Sequence, residues 1–241
     1  MWTRAELKMK GKAAFKANFI CCVVVALILL IISGGFSAGT GAARGVNIGI
    51  NDPGAGIENA FNALSDSAKL GVAAFVLGFV GIAGIAGLLL KLFLFNPVQV
   101  SCRKFFFANS YAPVQLDELK YSFSEGRYSN IVKVTFFRDL FVFLWTLLFV
   151  IPGIVKAYQY KMVPYILAED PFMDHREALN LSRSMMEGQK WKAFVLDLSF
   201  IGWEFLAALT LWILGIFYVN PYEAATDAEL YRVLRQGYVN A

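Results

Sequence analysis

Long apolar runs separated by short polar segments dominate the amino-acid sequence. Residues 17–36 and 70–90 each form a stretch without a charged side chain. A helix of about 20 residues, rising 1.5 Å per residue, crosses the hydrocarbon core of a bilayer, which is about 30 Å thick. These two runs therefore predict membrane-spanning helices.

Later apolar segments carry more polar side chains; they cover residues 131–150, 154–168, 192–213 and 216–234. Segment 154–168 follows the turn signal Pro152-Gly153 and reaches only about 22 Å as a helix, so it crosses a thinned bilayer, continues beyond the core or lies at the interface. The pattern predicts an all-α protein, a polytopic helical membrane bundle of about six transmembrane helices, forming a single domain over residues 1–241.

The positions of lysine and arginine predict the orientation of this bundle. Basic residues concentrate before residue 17, between 91 and 133, between 176 and 192 and after 231, whereas the glycine-rich segment 37–69 holds two. Because positive side chains stay on the cytoplasmic side, we expect both termini inside and 37–69 as an outer loop. A cleaved signal peptide ending near Ser37-Ala38-Gly39 is the alternative for the first run.

Residues 174–188 are predicted to form a cytoplasmic amphipathic helix. Asp174 followed three residues later by Glu177 resembles a capping box, and Gly188 is placed to end the helix. One face of this helix should rest on the bundle or on the lipid headgroups. The residues expected to make cytoplasmic contacts are Asp174, Glu177, Ser182, Arg183 and Glu187.

Charged residues also occur inside the predicted spans. In an antiparallel arrangement of the fourth and fifth spans, Lys161 lies level with Asp197, and Lys156 with Glu204. We expect two ion pairs, with Tyr158 or Tyr160 supplying hydrogen bonds, because ionisable groups at membrane depth pair or line a polar cavity. Such pairs lock the helix register, line a pathway for a polar substrate or ion, or take part in catalysis.

Composition narrows the functional classes. With 58% apolar and 17% charged residues, the chain is neither an ordinary soluble domain nor disordered, and its net charge of +4 follows from membrane orientation without nucleic-acid binding. One histidine and three cysteines without CxxC spacing give no metal or redox motif. We therefore expect no metal, no cofactor, no disulfide and no catalytic residues.

Several sequence blocks resemble a known bacterial membrane family. The blocks include Ile151-Pro152-Gly153-Ile154-Val155-Lys156-Ala157-Tyr158-Gln159-Tyr160, Met162-Val163-Pro164-Tyr165, Ser182-Arg183-Ser184-Met185-Met186-Glu187-Gly188, Lys190-Trp191 and Pro221-Tyr222, with Asn96-Pro97 as an earlier one. Together they are similar to the family called domain of unknown function 975. The resemblance implies a multi-spanning protein of the bacterial cytoplasmic membrane and names no catalytic residue.

The function expected from these features is non-enzymatic. We expect an accessory or scaffold protein in envelope maintenance or in a transport system, with membrane lipids and a membrane-protein partner or a second copy of the chain as partners. Glycines 78, 81, 84 and 87 form a small-residue face suited to helix association. The alternatives are a small-substrate transporter or exporter with a charged midplane cavity, and an intramembrane enzyme, for which no nucleophile and base set is recognised.

Overall fold

The computed structural model describes residues 2–32, 65–124, 126–210 and 212–239. All regular secondary structure within these ranges is helical. This finding confirms the predicted all-α class. The predicted outer loop lies outside the described residues from its start to residue 64.

The α-helices, in chain order, are α1 Arg4–Ala17, α2 Phe19–Ile32, α3 Asp66–Leu90, α4 Asn96–Asn109, α5 Tyr128–Leu148, α6 Val150–Gln159, α7 Val163–Glu169, α8 His175–Met185, α9 Lys190–Leu198, α10 Ile201–Leu209 and α11 Asn220–Val239. Two π-helical segments, Lys91–Phe95 and Gly215–Val219, lead into α4 and α11, and a 3₁₀ helix covers Leu116–Phe123.

The basic N-terminal segment forms a helix of its own, α1, which the sequence analysis treated only as a charged flank. Thr3 caps it, with its Oγ1 accepting a hydrogen bond from the backbone N–H of Glu6 at 3.3 Å. The chain then bends by 108° before α2. At the bend, Asn18 Nδ2 donates to Asn109 Oδ1 at 2.9 Å and to the Val114 carbonyl at 2.7 Å, which holds the corner against the end of α4.

Helix α11 lies at the centre of the larger compact unit, which comprises residues 1–33 and 92–241. It packs against α1, α2, α4 and α8. Most of its side chains between residues 221 and 231 are buried, including the carboxylates of Asp227 and Glu229. A helix buried on several sides usually carries apolar residues all round. Polar groups inside α11 therefore need partners on the helices around it.

Helices α1 and α11 approach each other closely at Gly11. A Cβ atom placed on Gly11 would lie 2.7 Å from Thr226 Oγ1 and 2.9 Å from Thr226 Cα. Backbone at this distance cannot move aside as a flexible side chain can. The two helices therefore pack in this register because residue 11 has no side chain.

The smaller unit, residues 34–91, contains α3. Ser65 caps this helix, its Oγ accepting from the Ala68 backbone N–H at 3.4 Å. The apolar side chains of α3 are exposed, and a Cβ on Gly78, Gly81, Gly84 or Gly87 would meet no described atom within 4 Å. The small-residue face is thus present on α3, and its proposed use in association remains a prediction.

One helix within the described ranges is long and apolar enough to cross a membrane. Helical backbone runs from Ser67 to Asn109 over 43 residues, and the most apolar window of this stretch is not buried. The bent pair α1 and α2 meets the same test only when its two helices are counted together.

Two predicted spans are divided in the structure. Residues 154–168 were expected to form one helix, but α6 ends at Gln159 and α7 begins at Val163. Pro164, near the start of α7, has no N–H to continue the preceding helix, which accounts for this correction. Residues 192–213 are likewise divided, between α9 and α10, at Ser199 and Phe200.

Helices α5 and α6 form a tight hairpin that turns at Phe149, which has extended backbone. Gly153 permits the close approach, because a Cβ there would collide with the backbone and side chain of Thr146. The end of the hairpin is apolar and exposed, with Leu147 at 73% and Ile151 at 77% exposure. Pro152-Gly153 was predicted to form the turn itself; it instead lies in the first turns of α6.

The close approach at Gly11 gives a stability prediction. Gly11→Ala should lower the free energy of unfolding by about 1–3 kcal/mol, because the added methyl group forces α1 away from Thr226. Gly237→Ala, at an exposed position of α11 with nothing within 4 Å, should raise it by about 0.5–1 kcal/mol through helix propensity. Denaturant titration in detergent micelles measures both. Equal effects of the two substitutions would contradict the packing described here.

Candidate functional site

Four charged side chains form a continuous series of ion pairs, which we name the charge chain: Arg103, Asp227, Lys161 and Asp197. Lys161 Nζ lies 2.9 Å from Asp227 Oδ1 and 2.8 Å from Asp197 Oδ1. Arg103 Nη1 lies 3.5 Å from Asp227 Oδ2. Two cations and two carboxylates alternate along the chain, so each charge is adjacent to one of opposite sign.

Each member of the charge chain comes from a different part of the fold. Arg103 lies on α4, Asp197 near the end of α9 and Asp227 in the middle of α11. Lys161 lies in the short turn between α6 and α7. The ion pairs therefore connect three helices and the turn that the break creates.

Two tyrosines extend the network by hydrogen bonds. Tyr158 donates its hydroxyl proton to Asp197 Oδ2 at 2.8 Å, and Arg103 Nη1 donates to the Tyr165 hydroxyl at 3.0 Å. The ring of Tyr165 stacks on that of Tyr231, with centroids 5.2 Å apart. These contacts fix the orientation of the terminal members, Asp197 and Arg103.

The charge chain is largely removed from solvent. The side chain of Asp227 is 8% exposed and that of Lys161 is 19% exposed. An isolated ion at such a position would lose several kcal/mol of hydration energy, and a partner in good geometry offsets this loss. The position of each of α4, α9 and α11 therefore depends on the positions of the other two.

Of the two ion pairs expected from the sequence, the structure brings together Lys161 and Asp197, with the Tyr158 hydroxyl on the same carboxylate. It does not pair Lys156 with Glu204: among the described side chains the two form no ion pair within 4.0 Å. Lys156 Nζ lies instead 4.9 Å from the ring centroid of Trp145 and 5.9 Å from that of Tyr160.

The reason lies in the helix breaks. The predicted pairing of Lys156 with Glu204 requires two uninterrupted antiparallel helices, but α9 and α10 are separated at Ser199 and Phe200. The register therefore holds near Asp197 and does not extend to Glu204. Tyr160 belongs with Lys156 and not with the charge chain, because its ring is near Lys156 Nζ.

Arg103 and Asp227 were missed by the sequence analysis. Arg103 was counted with the basic inner segment, and Asp227 stands in an ordinary helical sequence between Thr226 and Ala228. One weak signal was available: Asp227 is surrounded by small apolar residues that predict a buried helix face. The partner of such a carboxylate depends on which helices meet, which spacing along one chain does not specify.

A cavity of about 160 Å³ adjoins the charge chain. One side is apolar and belongs to α2, and the other is polar; the lining residues are Ala26, Leu29, Leu30, Arg103, Asn220, Glu223, Ala224 and Asp227. Neither Lys156 nor Lys161 lines this cavity. The Nδ2 atom of Asn220 is buried without a hydrogen-bond partner among the described atoms. The cavity is thus a second polar feature of the same region.

The predicted contact helix corresponds to α8, which begins after Asp174. The Asp174 carboxylate accepts from the Arg176 backbone N–H at 3.2 Å, and this hydrogen bond holds the pKa of Asp174 below its usual value. Glu177, Arg183 and Glu187 are exposed.

Ser182 requires a correction, because it was expected among the contact residues of α8. It is buried, and its Oγ donates to the Gln159 carbonyl at 2.8 Å. Ser182 therefore ties α8 to the end of α6. Only the opposite, charged face of α8 is open to a partner.

Other chemistry is sparse in the described part of the chain. Cys21, Cys22 and Cys102 are free thiols. The described ranges contain no group of three or more histidine, cysteine, aspartate or glutamate side chains that could hold a metal ion.

The fold and the site define an all-helical protein with a helix long enough to cross a membrane and a buried network of ion pairs. Residues 146–237 match the family model described as Protein of unknown function (DUF975). This match confirms the family resemblance inferred from the sequence, and it includes Lys161, Asp197 and Asp227. No curated protein and no solved structure matches the chain.

The shared position of Lys161 between two carboxylates gives the second prediction. Lys161→Met should lower the free energy of unfolding by about 3–5 kcal/mol, because it leaves Asp197 and Asp227 buried without their common cation. Lys156→Met, which removes a lysine that lies over aromatic rings, should change it by about 1 kcal/mol or less. Unfolding in mixed detergent micelles, followed by circular dichroism, compares the two variants.

A second substitution tests the same interaction by rescue. Adding Asp197→Asn to Lys161→Met should recover part of the lost stability, since one of the two uncompensated carboxylates is removed. Equal losses for the two lysine variants, or no recovery in the double variant, would contradict the role of the charge chain.

Proposed function

We propose that this chain is a non-enzymatic integral membrane protein that acts as an accessory or scaffold in envelope maintenance or in a transport system. The observation that carries the proposal is the charge chain, whose charged side chains form ion pairs with one another. Groups committed to mutual ion pairs hold helices in place and are poorly available as acids, bases or nucleophiles. The family model, which names no activity, is compatible with this function.

Membrane location is supported by where the apolar side chains are exposed. Helix α3 exposes its apolar residues along its length, and so does the end of the α5–α6 hairpin. Large apolar areas exposed to water are unfavourable and rare in monomeric soluble proteins. Lipid is the environment in which these surfaces cost no hydration energy.

The proposed topology has six membrane crossings, two of which are formed by interrupted helices. The fourth crossing consists of α6 and α7, and the fifth of α9 and α10. A helix break at membrane depth is tolerated where it is buried in protein, and α7 is buried from Val163 to Ala168. In the third crossing, Arg138 Nη2 lies 2.7 Å from Asp139 Oδ1, so this charge is also paired.

The orientation follows from the distribution of lysine and arginine: both termini and α8 face the cytoplasm of a bacterial cell, and the protein resides in its cytoplasmic membrane. The exposed face of α8 then offers Glu177 and Arg183 to a partner, and Glu187 is exposed in the turn that follows α8. The partners of a scaffold of this kind are membrane lipids and either another membrane protein or a second copy of the chain.

A transporter is the second candidate, and two observations favour it. Helical structure is interrupted at Lys161 and again just after Asp197, and helices at substrate sites of many secondary transporters are interrupted in the same way. The cavity of about 160 Å³ also places Glu223 beside Arg103 and Asp227. The scaffold is preferred because the cavity does not include Lys161.

The six-crossing topology is tested by cysteine labelling in intact cells, in a background where Cys21, Cys22 and Cys102 are replaced by serine. Ile151→Cys should react with a membrane-impermeant maleimide added outside, whereas Lys12→Cys should react only after the cells are permeabilised. If Ile151→Cys stays unlabelled on both sides while Lys12→Cys behaves as expected, the hairpin ends inside the bilayer and the chain has fewer crossings.

The scaffold function is tested by exchanging one charge on α8 with one in the turn that follows it. The double substitution Arg183→Glu and Glu187→Arg keeps the net charge, and it should abolish a photo-crosslink from position 180, which is exposed on the same helix, to the partner. The matched control exchanges Asp117 and Lys120, an exposed pair on the 3₁₀ helix, and should leave the crosslink unchanged. If both exchanges abolish the crosslink, or if neither does, the contact at α8 is contradicted. Flux of a solute through proteoliposomes that Glu223→Gln stops and Glu204→Gln does not would favour the transporter.

A further inference from the structure

A depression lies between the N-terminus of the protein and the start of α9. It has a volume of about 340 Å³ and is lined by Trp2, Thr3, Arg4, Trp191, Lys192 and Val195. We name it the Trp2–Trp191 cavity. It is separate from the charge chain, since it contains no member of that network.

The charges in the Trp2–Trp191 cavity are positive and unneutralised. Within the described residues, neither Arg4 nor Lys192 forms an ion pair with a carboxylate within 4.0 Å. The nearest acid along α1, Glu6, is used by Lys10, whose Nζ lies 2.7 Å from Glu6 Oε1. Two cations therefore line one cavity in which no described carboxylate is paired with them.

A neighbouring depression continues the basic surface. It has a volume of about 430 Å³, shares Thr3 and Arg4 with the first, and adds Lys8 and Ser199. Lys8 Nζ donates to the Ser199 carbonyl at 3.0 Å and lies 4.0 Å from the ring centroid of Phe200, so these direct contacts are with neutral groups. The carboxylate of Glu223 acts on Lys8 without forming an ion pair within 4.0 Å. Burial lowers the pKa of Lys8, and the charge of Arg4 lowers it further.

The two tryptophans make the cavity amphipathic. Trp191 is 72% exposed, an unusual position for an indole in water and a common one at the boundary between headgroups and acyl chains. The Nε1 atom of Trp2 is buried without a hydrogen-bond partner among the described residues. Both indoles thus contribute apolar surface beside the cations of the cavity.

We propose that the Trp2–Trp191 cavity binds the phosphate-bearing headgroup of an anionic phospholipid in the cytoplasmic leaflet. Arg4 and Lys192 bind the phosphate, and the two indoles lie against the glycerol and the upper acyl chain. A guanidinium supplies paired donors to phosphate oxygens, and an ammonium supplies a point charge. This proposal rests on the proposed function, because it requires the chain to be in a membrane with its N-terminus inside.

The experiment uses the full-length protein purified in a mild zwitterionic detergent. Phosphatidylglycerol is added in increasing amounts, and native mass spectrometry counts the lipid molecules retained; phosphatidylcholine is added in a parallel series. The protein should retain one phosphatidylglycerol in preference to phosphatidylcholine. The double variant Arg4→Gln and Lys192→Gln should bind phosphatidylglycerol about 25-fold more weakly, at about fivefold for each charge removed, with phosphatidylcholine unaffected.

The matched control removes the same number of charges from the same basic segment. Lys12 and Lys16 are exposed on α1 and line neither depression, so Lys12→Gln with Lys16→Gln should retain phosphatidylglycerol as the unaltered protein does. The charge-preserving variant Arg4→Lys with Lys192→Arg should retain most of the binding. Circular dichroism verifies that all variants are folded.

Three results would overturn the proposal. One is equal retention of the two lipids, and another is equal loss of phosphatidylglycerol in the glutamine variant and its control, which would reflect net charge alone. The third is displacement of the lipid by millimolar inorganic phosphate, which would mean that the site recognises a free anion. Failure of the membrane proposal appears separately in the cysteine labelling, so a correctly inserted protein without lipid preference would overturn only this inference.

Discussion

The carboxylate of Asp227 lies between two cations, with Lys161 Nζ at 2.9 Å and Arg103 Nη1 at 3.5 Å. Helix α11 can be buried on several sides only because these partners come from α4 and from the turn after α6. Ion pairs of this kind add little net stability compared with an apolar core, but they penalise every arrangement that separates them. The constraint therefore specifies which helices meet more than it strengthens the fold.

The helix breaks follow from the same constraint. An uninterrupted helix presents a side chain at a fixed angle every 100° or so, and a lysine in its middle reaches only the neighbour on that side. Lys161 contacts carboxylates on both α9 and α11 because it lies in the turn between α6 and α7. The proline at the second position of α7 thus has an electrostatic consequence, because the helix break before it leaves Lys161 in the turn where it contacts both acids.

The sequence predicted the helical class, the approximate limits of α2, α3 and α5, and the start of α8 at Asp174, because apolar periodicity and capping are local properties. It also placed Lys161 level with Asp197, since register between neighbouring helices needs only spacing along the chain. Arg103 and Asp227 could not be predicted, because their pairing depends on which distant helices pack against α11. The close contact between Gly11 and Thr226 was hidden for the same reason.

Two polar regions of the molecule differ in how their charges are balanced, and this difference bears on function. In the charge chain, opposite charges alternate and are buried. Each charged group already has a partner of opposite sign, which favours a fixed structure. In the Trp2–Trp191 cavity, neither Arg4 nor Lys192 forms an ion pair with a carboxylate of the described residues, and Trp191 is 72% exposed. A cationic surface beside an exposed indole is typical of a membrane interface with anionic lipid. The first region thus holds the helices together, and the second is the surface that we propose to bind anionic lipid.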